Sequence, residues 1–138
     1  MVSVNDVCQV LQQLAPLATA ESWDNVGLLL GRPERSVTRL MTCLTLTPAV
    51  AREAIAEKVE MIVTHHPVLF RATKTITSDT IEGGLLLDLI EAGIAVYSPH
   101  TAFDSADLGI NQWLAESLGL NAIEPLRPFQ QSILGGSG

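Results

Sequence analysis

The sequence is short of several things, and each shortage closes off a class of protein. Its 138 residues carry eight Lys and Arg against fifteen Asp and Glu, a net charge of −7. The few cations are scattered, so no basic stripe is available to neutralise a phosphate backbone, and no nucleic-acid partner is expected. There are two cysteines, Cys8 and Cys43, both in apolar surroundings. They read as buried free thiols rather than a disulfide or a metal site. No apolar run approaches the roughly 20 residues that a membrane-spanning helix needs. The N-terminus has neither a basic region nor a cleavable apolar stretch, so no signal peptide is expected. These absences together predict a cytoplasmic protein with no membrane partner. A glycine-rich phosphate loop is missing, and so is the strand-turn-helix elbow that presents a serine nucleophile. Histidine is scarce as well, with three in all.

What is present describes a globular α/β domain. Hydrophobic residues make up 47% and charged residues 17%, a composition that folds around a core. Val4, Val7, Cys8, Leu11 and Leu14 recur at helical spacing, with Ser3 and Asp6 as a capping box and Pro16 as the stop. Residues 26–31 read as a short strand, 38–46 as a second, 59–64 as a third and 94–98 as a fourth. Thr47 caps a helix with Pro48 at its first position, running through Ala51, Ala54 and Ile55 to about Lys58. A second helix, 79–92, carries Leu85, Leu86, Leu89 and Ile90 inward and ends at Gly93. A polar loop, 71–78, precedes it. Asp107 is the expected cap of a last helix whose buried face is Ile110, Trp113, Leu114 and Leu118. Strand, helix, strand, helix, strand from 38 to 98 implies parallel strands joined by right-handed crossovers.

In such sheets ligands bind beyond the carboxyl ends of the strands. His65 and His66 lie just past the end of strand 59–64, and His100 and Asp104 just past strand 94–98. Neighbouring strands would bring all four to one rim. Adjacent residues of extended backbone point in opposite directions, and Pro67 holds His66 extended. The two imidazoles are therefore expected to splay and to serve two ions rather than one. Metals in a dinuclear hydrolytic site sit roughly 3.5–4 Å apart. Imidazole with carboxylate suits zinc, iron or manganese. The bland alternative is a set of hydrogen-bonded turn histidines, with Asp104 capping a turn. A Ser-His-Asp triad is a weaker rival, with Thr64, Ser98 and Thr101 available as hydroxyls. Three histidines and an aspartate at two strand ends favour metal. In "SWDN", Trp23 is read as packing the first helix on the sheet, and Asp24 with Asn25 as an Asx turn; a place for Asp24 or Asn25 at the rim of a pocket is the second choice.

Three stretches carry a resemblance: "AESWDNVGLLLG" (20–31), "IVTHHPVLF" (62–70) and "HTAFDSADLGINQWLAESLGL" (100–120). In order and spacing they resemble the motifs of the Nif-three-like family, also called type 2 homologues of GTP cyclohydrolase I. The resemblance covers nearly all of residues 1–125. It implies a three-layer α/β/α domain with a largely parallel or mixed sheet and a two-metal site at the carboxyl ends of the strands. It implies His65, His66 and Asp104 as metal ligands for two divalent ions. It places His100 beside them, in a catalytic or supporting role. It also implies a homo-oligomer, often a toroidal hexamer.

The sequence departs from that family's pattern at two points. Thr45 stands near the end of the second strand, where an aspartate is usual, so a hydroxyl replaces a supporting carboxylate. The remaining ligands in the family come from a histidine and a glutamate on a C-terminal helix, and no histidine follows His100 here. Residues 126–138, ending in "GGSG", read as a linker-like tail and a truncation point after a domain spanning 1–125. The expected function is a dinuclear metal-dependent hydrolase acting on an unidentified small molecule. The alternative is a non-catalytic metal-binding or interaction protein that assembles into an oligomer.

Overall fold

The three longest helices each begin where a short polar side chain takes up a free N–H. The computed structural model describes residues 1–126. In α1 (Val4–Leu14), the Ser3 hydroxyl accepts from the Asp6 N–H while the Asp6 carboxylate accepts from the Ser3 N–H. A 3-10 turn, Leu17–Thr19, leads into β1 (Gly27–Leu30). After β2 (Leu40–Cys43), the Thr47 hydroxyl caps α2 (Pro48–Ala56) by accepting from the Val50 N–H. β3 (Met61–Thr64) follows. Thr80 caps α3 (Ile81–Ala92), and Gly93 ends it at φ +67°, in the left-handed region where glycine is at ease. Then come β4 (Ala95–Ser98), the short α4 (His100–Asp104) and α5 (Ile110–Ser117).

The sheet order is β1-β4-β3-β2. β2, β3 and β4 are parallel, with α2 and α3 as their crossovers, while β1 runs antiparallel to β4. The sheet is therefore mixed. Strand alternation divides the core in two. Met61, Ala95 and Tyr97 face Val4 and Cys8 of α1, whereas Ile62, Ile94 and Val96 face Ala51, Ala54 and Leu89 of α2 and α3. Helices thus cover both faces, giving three layers. Gly31 closes β1 at φ +115°, where an added Cβ would lie 2.6 Å from that of Ala95. Only glycine lets the chain turn away this close to β4.

Several expectations need correction. The second strand is shorter than 38–46, because only residues 40–43 pair with β3. Ile90, expected inward, is exposed, since it lies off the side of α3 that meets the sheet. α5 begins at Gly109 with no side-chain cap, not at Asp107. Its apolar residues Ile110, Trp113, Leu114 and Leu118 are all exposed. Among the described residues the helix meets the rest of the fold through Trp113, edge-on to Phe103 at 6.0 Å, and through the Asn111 amide, which donates to the Asp104 carbonyl at 2.8 Å. Helical spacing revealed an amphipathic stripe but not whether a surface exists to receive it. Among the described residues, no helix is long and apolar enough to cross a membrane. Apart from Leu126, the tail expected at 126–138 lies outside the described residues.

Candidate metal centre

β3 and β4 are parallel neighbours, so their carboxyl ends open at the same edge of the sheet. The chain leaving β3 is held there by buried hydroxyls. Ser98 donates to the His65 carbonyl at 2.7 Å. Thr64 lies within reach of the Leu44 and His66 carbonyls, at 3.3 and 3.2 Å. The N–H groups of His65 and His66 donate to the carbonyls of Cys43 and Leu44. With Ser98 and Thr64 fully buried and committed to backbone carbonyls, neither is placed to act as the nucleophile of a triad.

On this rigid edge the rings converge instead of splaying. The His65 and His66 ring centroids are 5.2 Å apart, tilted by 58°. His100 lies 5.3 Å from His65 and 5.9 Å from His66. One ring nitrogen from each of the three lies within 4.8 Å of the others. The regular strand ends at Thr64 and both histidines sit in a bend, so strict alternation no longer governs them. Asp104 joins the group, with a carboxylate oxygen 3.6 Å from His65 Nε2. His100 and Asp104 are the first and last residues of α4, which carries both to this edge. The residues named from the two strand ends are therefore brought together.

Two of the imidazoles have a hydrogen-bonding support. Thr45 Oγ1 lies 2.7 Å from His66 Nδ1, so the hydroxyl at the departing position holds the ring itself. Burial lowers the pKa of His65 below its usual 6.5, against the opposing pull of Asp104. This favours the neutral ring, the form that ligates a metal. His100 is held most firmly. Its backbone has φ +31°, in the half of conformational space that favours glycine, at a cost of about 1–3 kcal/mol. Asp24, with its side chain 0% exposed, supports this conformation. Its carboxylate accepts from the Nδ1–H of His100 at 2.9 Å, from the Thr101 N–H at 3.1 Å and from the Thr101 hydroxyl. Burial works to raise the Asp24 pKa, but the bonds from Thr101, His100 and the Asn25 N–H outweigh it and leave the carboxyl below its usual range. An ionised Asp24 only accepts, so Nδ1 of His100 carries the proton of this bond and Nε2 is left as the ring nitrogen available to a ligand.

Sequence reasoning ranked "WDN" wrongly. Trp23 does not pack a helix on the sheet; it is 61% exposed and meets Phe70 and His100 edge-on. Asp24 orients His100, and the Asn25 amide donates to the Leu69 carbonyl at 2.7 Å. Three consecutive residues thus tie the start of β1 to both histidine segments. The signal was the acidic residue itself: an aspartate between an aromatic and an amide is as good a partner for a distant histidine as for a turn. The donor set, three imidazoles with a carboxylate beside them, fits a divalent ion of the zinc, iron or manganese kind.

Comparison with known proteins matches residues 2–135 to the family described as Duf34/NIF3 (NGG1p interacting factor 3). The chain belongs to the Duf34/NIF3 family. It is 42% identical over 118 residues to a GTP cyclohydrolase 1 type 2 homolog of Clostridium perfringens, a match covering 86% of the chain and 45% of that relative. It is 43% identical over 119 residues to NIF3-like protein 1 of Rattus norvegicus, covering 86% and 32%. Among solved structures, a Bacillus cereus protein related to NIF3 superposes with a TM-score of 0.88 at 32% identity, over 94% of this chain and 36% of that one. The chain spans less than half the length of these Duf34/NIF3 relatives.

Proposed function

We propose that this Duf34/NIF3 chain supplies the histidine half of a dinuclear, metal-dependent hydrolase. The observation that carries the reading is the meeting of His65, His66 and His100 nitrogens within 4.8 Å, with Asp104 at 3.6 Å from His65. His65, His66 and Asp104 would hold the ions, with zinc, iron or manganese suited to this mixture of nitrogen and oxygen donors. Bound there, divalent ions would acidify water and polarise an electrophilic carbon or phosphorus. The Asp104 carboxylate would offset part of the ions' positive charge. Thr45 fixes the plane of the His66 ring. His100 holds or moves a proton at Nε2 while Asp24 keeps its Nδ1 protonated, a division of labour that suits hydrolysis.

The same cluster distance favours a second role for His100, as a third imidazole ligand. Metal content separates the two. If His100 moves protons, Asp104→Ala loses the metal while His100→Ala keeps it and loses any turnover. A metal-free His100→Ala beside a fully loaded Asp104→Ala reverses the assignment. The GTP cyclohydrolase name of the bacterial relatives makes a purine ring one substrate to try, with simple amides and phosphoesters beside it. The exposed apolar face of α5 favours a further reading, a non-catalytic metal-binding protein assembling into a homo-oligomer such as a hexamer. Turnover of nothing in a broad panel by metal-loaded protein, together with a large assembly in sedimentation, would favour that reading over the hydrolase.

A further inference from the structure

Two large aromatic side chains stand exposed at the mouth of the histidine cluster. Trp23 is 61% and Phe70 48% exposed, in a sequence with only 4% aromatic residues. Their centroids are 6.1 Å apart and their planes lie 81° to one another. His100 completes a triangle, 6.5 Å from Trp23 and 6.1 Å from Phe70, edge-on to both. Single exposed apolar residues are ordinary, but adjoining ones beside a polar site mark a binding surface. Both rings ride on anchored backbone. Trp23 precedes Asp24, which is bonded to His100 and Thr101. Phe70 follows Leu69, whose carbonyl accepts from the Asn25 amide. The corner is therefore set before any ligand arrives, which limits the ordering cost of binding.

We propose that Trp23 and Phe70 form a corner that receives a flat aromatic or heteroaromatic ring of the ligand, with the ring's substituents directed to the histidines. The inference rests on the cluster being the reactive site. Rings at right angles cannot both stack on one plane. A flat guest lies parallel to one and takes the other against its edge, the geometry aromatic pairs prefer. Such a corner selects for flatness, whereas an aliphatic chain would gain apolar contact alone. His100 belongs to both corner and cluster, so a ring seated there has its substituents within reach of the imidazole nitrogens. Trp23 and Phe70 thus set specificity.

The test needs a ring-specific readout independent of turnover. The sequence has two tryptophans, so Trp113→Phe, on the exposed α5, leaves Trp23 as the single reporter. Adenosine 5′-monophosphate is the probe, and ribose 5-phosphate, the same phosphate without the ring, is the control. The nucleotide is expected to quench Trp23 emission saturably and the sugar phosphate to leave it unchanged. Phe70→Ala is expected to weaken the nucleotide at least about tenfold, as loss of a stacking partner does. Phe70→Tyr should restore binding and Phe70→Leu should not. Equal binding of the two probes, or parental affinity in Phe70→Leu, overturns the proposal. So does Trp23 emission that is already that of a covered indole and shifts on dilution, because a second copy then fills the corner. Zinc calorimetry on the same proteins separates the two readings. Zinc binding without ring quenching sinks the corner alone, and ring quenching in protein that takes up no zinc sinks the metal reading alone.

Discussion

At the scale of single residues, two of the three imidazoles are paired with a hydrogen-bonding side chain, His66 with Thr45 and His100 with Asp24. Asp24 is the more committed of the two partners. Its carboxyl lies below the usual 3.8 and His65 below the usual 6.5. For both groups the unfolded chain takes up a proton more readily than the folded one, so acid favours unfolding. In metal-free protein the urea midpoint should hold above the ordinary histidine range. It should fall once the pH drops below 6.5 through His65, and fall again below 3.8 through Asp24. Asp24→Asn should shrink the second fall, to which Asp6 and Glu60 also contribute, and should deepen the first, because the Asp24 charge holds the His65 pKa up; a midpoint insensitive to acid would contradict both assignments. Thr45 makes a subtler contribution. Thr45→Val keeps the shape and removes the 2.7 Å contact to His66. Loss of a group that orients a ligand costs about 10–100-fold in metal affinity, which zinc calorimetry would read; affinity equal to the parent's would mean that the hydroxyl is incidental. Of these residues the histidines and Asp104 were legible from the sequence, because strand-end placement selects them. Asp24 was not, because its partner lies 76 residues away and a local turn explained it equally well.

Among the elements, the contrast between α3 and α5 shows what periodicity conveys. Both have apolar residues at helical spacing. In α3, Leu86 and Leu89 are buried, Leu89 completely, among Ala51, Ala54, Ile62 and Val96. In α5, none is buried. Leu89→Ala should therefore cost about 2–5 kcal/mol in a denaturant melt, as a buried leucine truncation does. Trp113→Ala, at 59% exposure, should cost no more than about 1.5 kcal/mol, the worth of its edge-on contact with Phe103. A large loss at Trp113 would show that α5 is covered in solution. The caps at Ser3 and Thr47 were legible because each bond reaches only three residues ahead, whereas the helix expected from 79 starts two residues later, capped by Thr80. The start of α5 was not legible, since the chain makes the extra turn of α4 before it.

For the molecule as a whole, the mixed sheet is what turns scattered motifs into one edge. If that edge binds metal, zinc should stabilise the fold by mass action, by about 2.7 kcal/mol at a hundredfold excess over its dissociation constant. A melting temperature that rises with zinc, falls back with chelator and fails to respond in His65→Ala is the expected pattern; no shift in the parent would remove the metal reading. By itself the sequence determined the α/β class, the parallel β2-β3-β4 unit and the grouping of His65, His66, His100 and Asp104 at strand ends. Each depends on local periodicity, capping or right-handed crossovers, which short-range sterics dictate. Only the tertiary structure decided that β1 runs antiparallel beside β4, that Asp24 reaches His100, that the adjacent imidazoles converge and that the stripe on α5 faces outward. Those outcomes depend on which surfaces meet across long stretches of chain, and a pattern of residue types records a preference for burial without recording the partner that satisfies it.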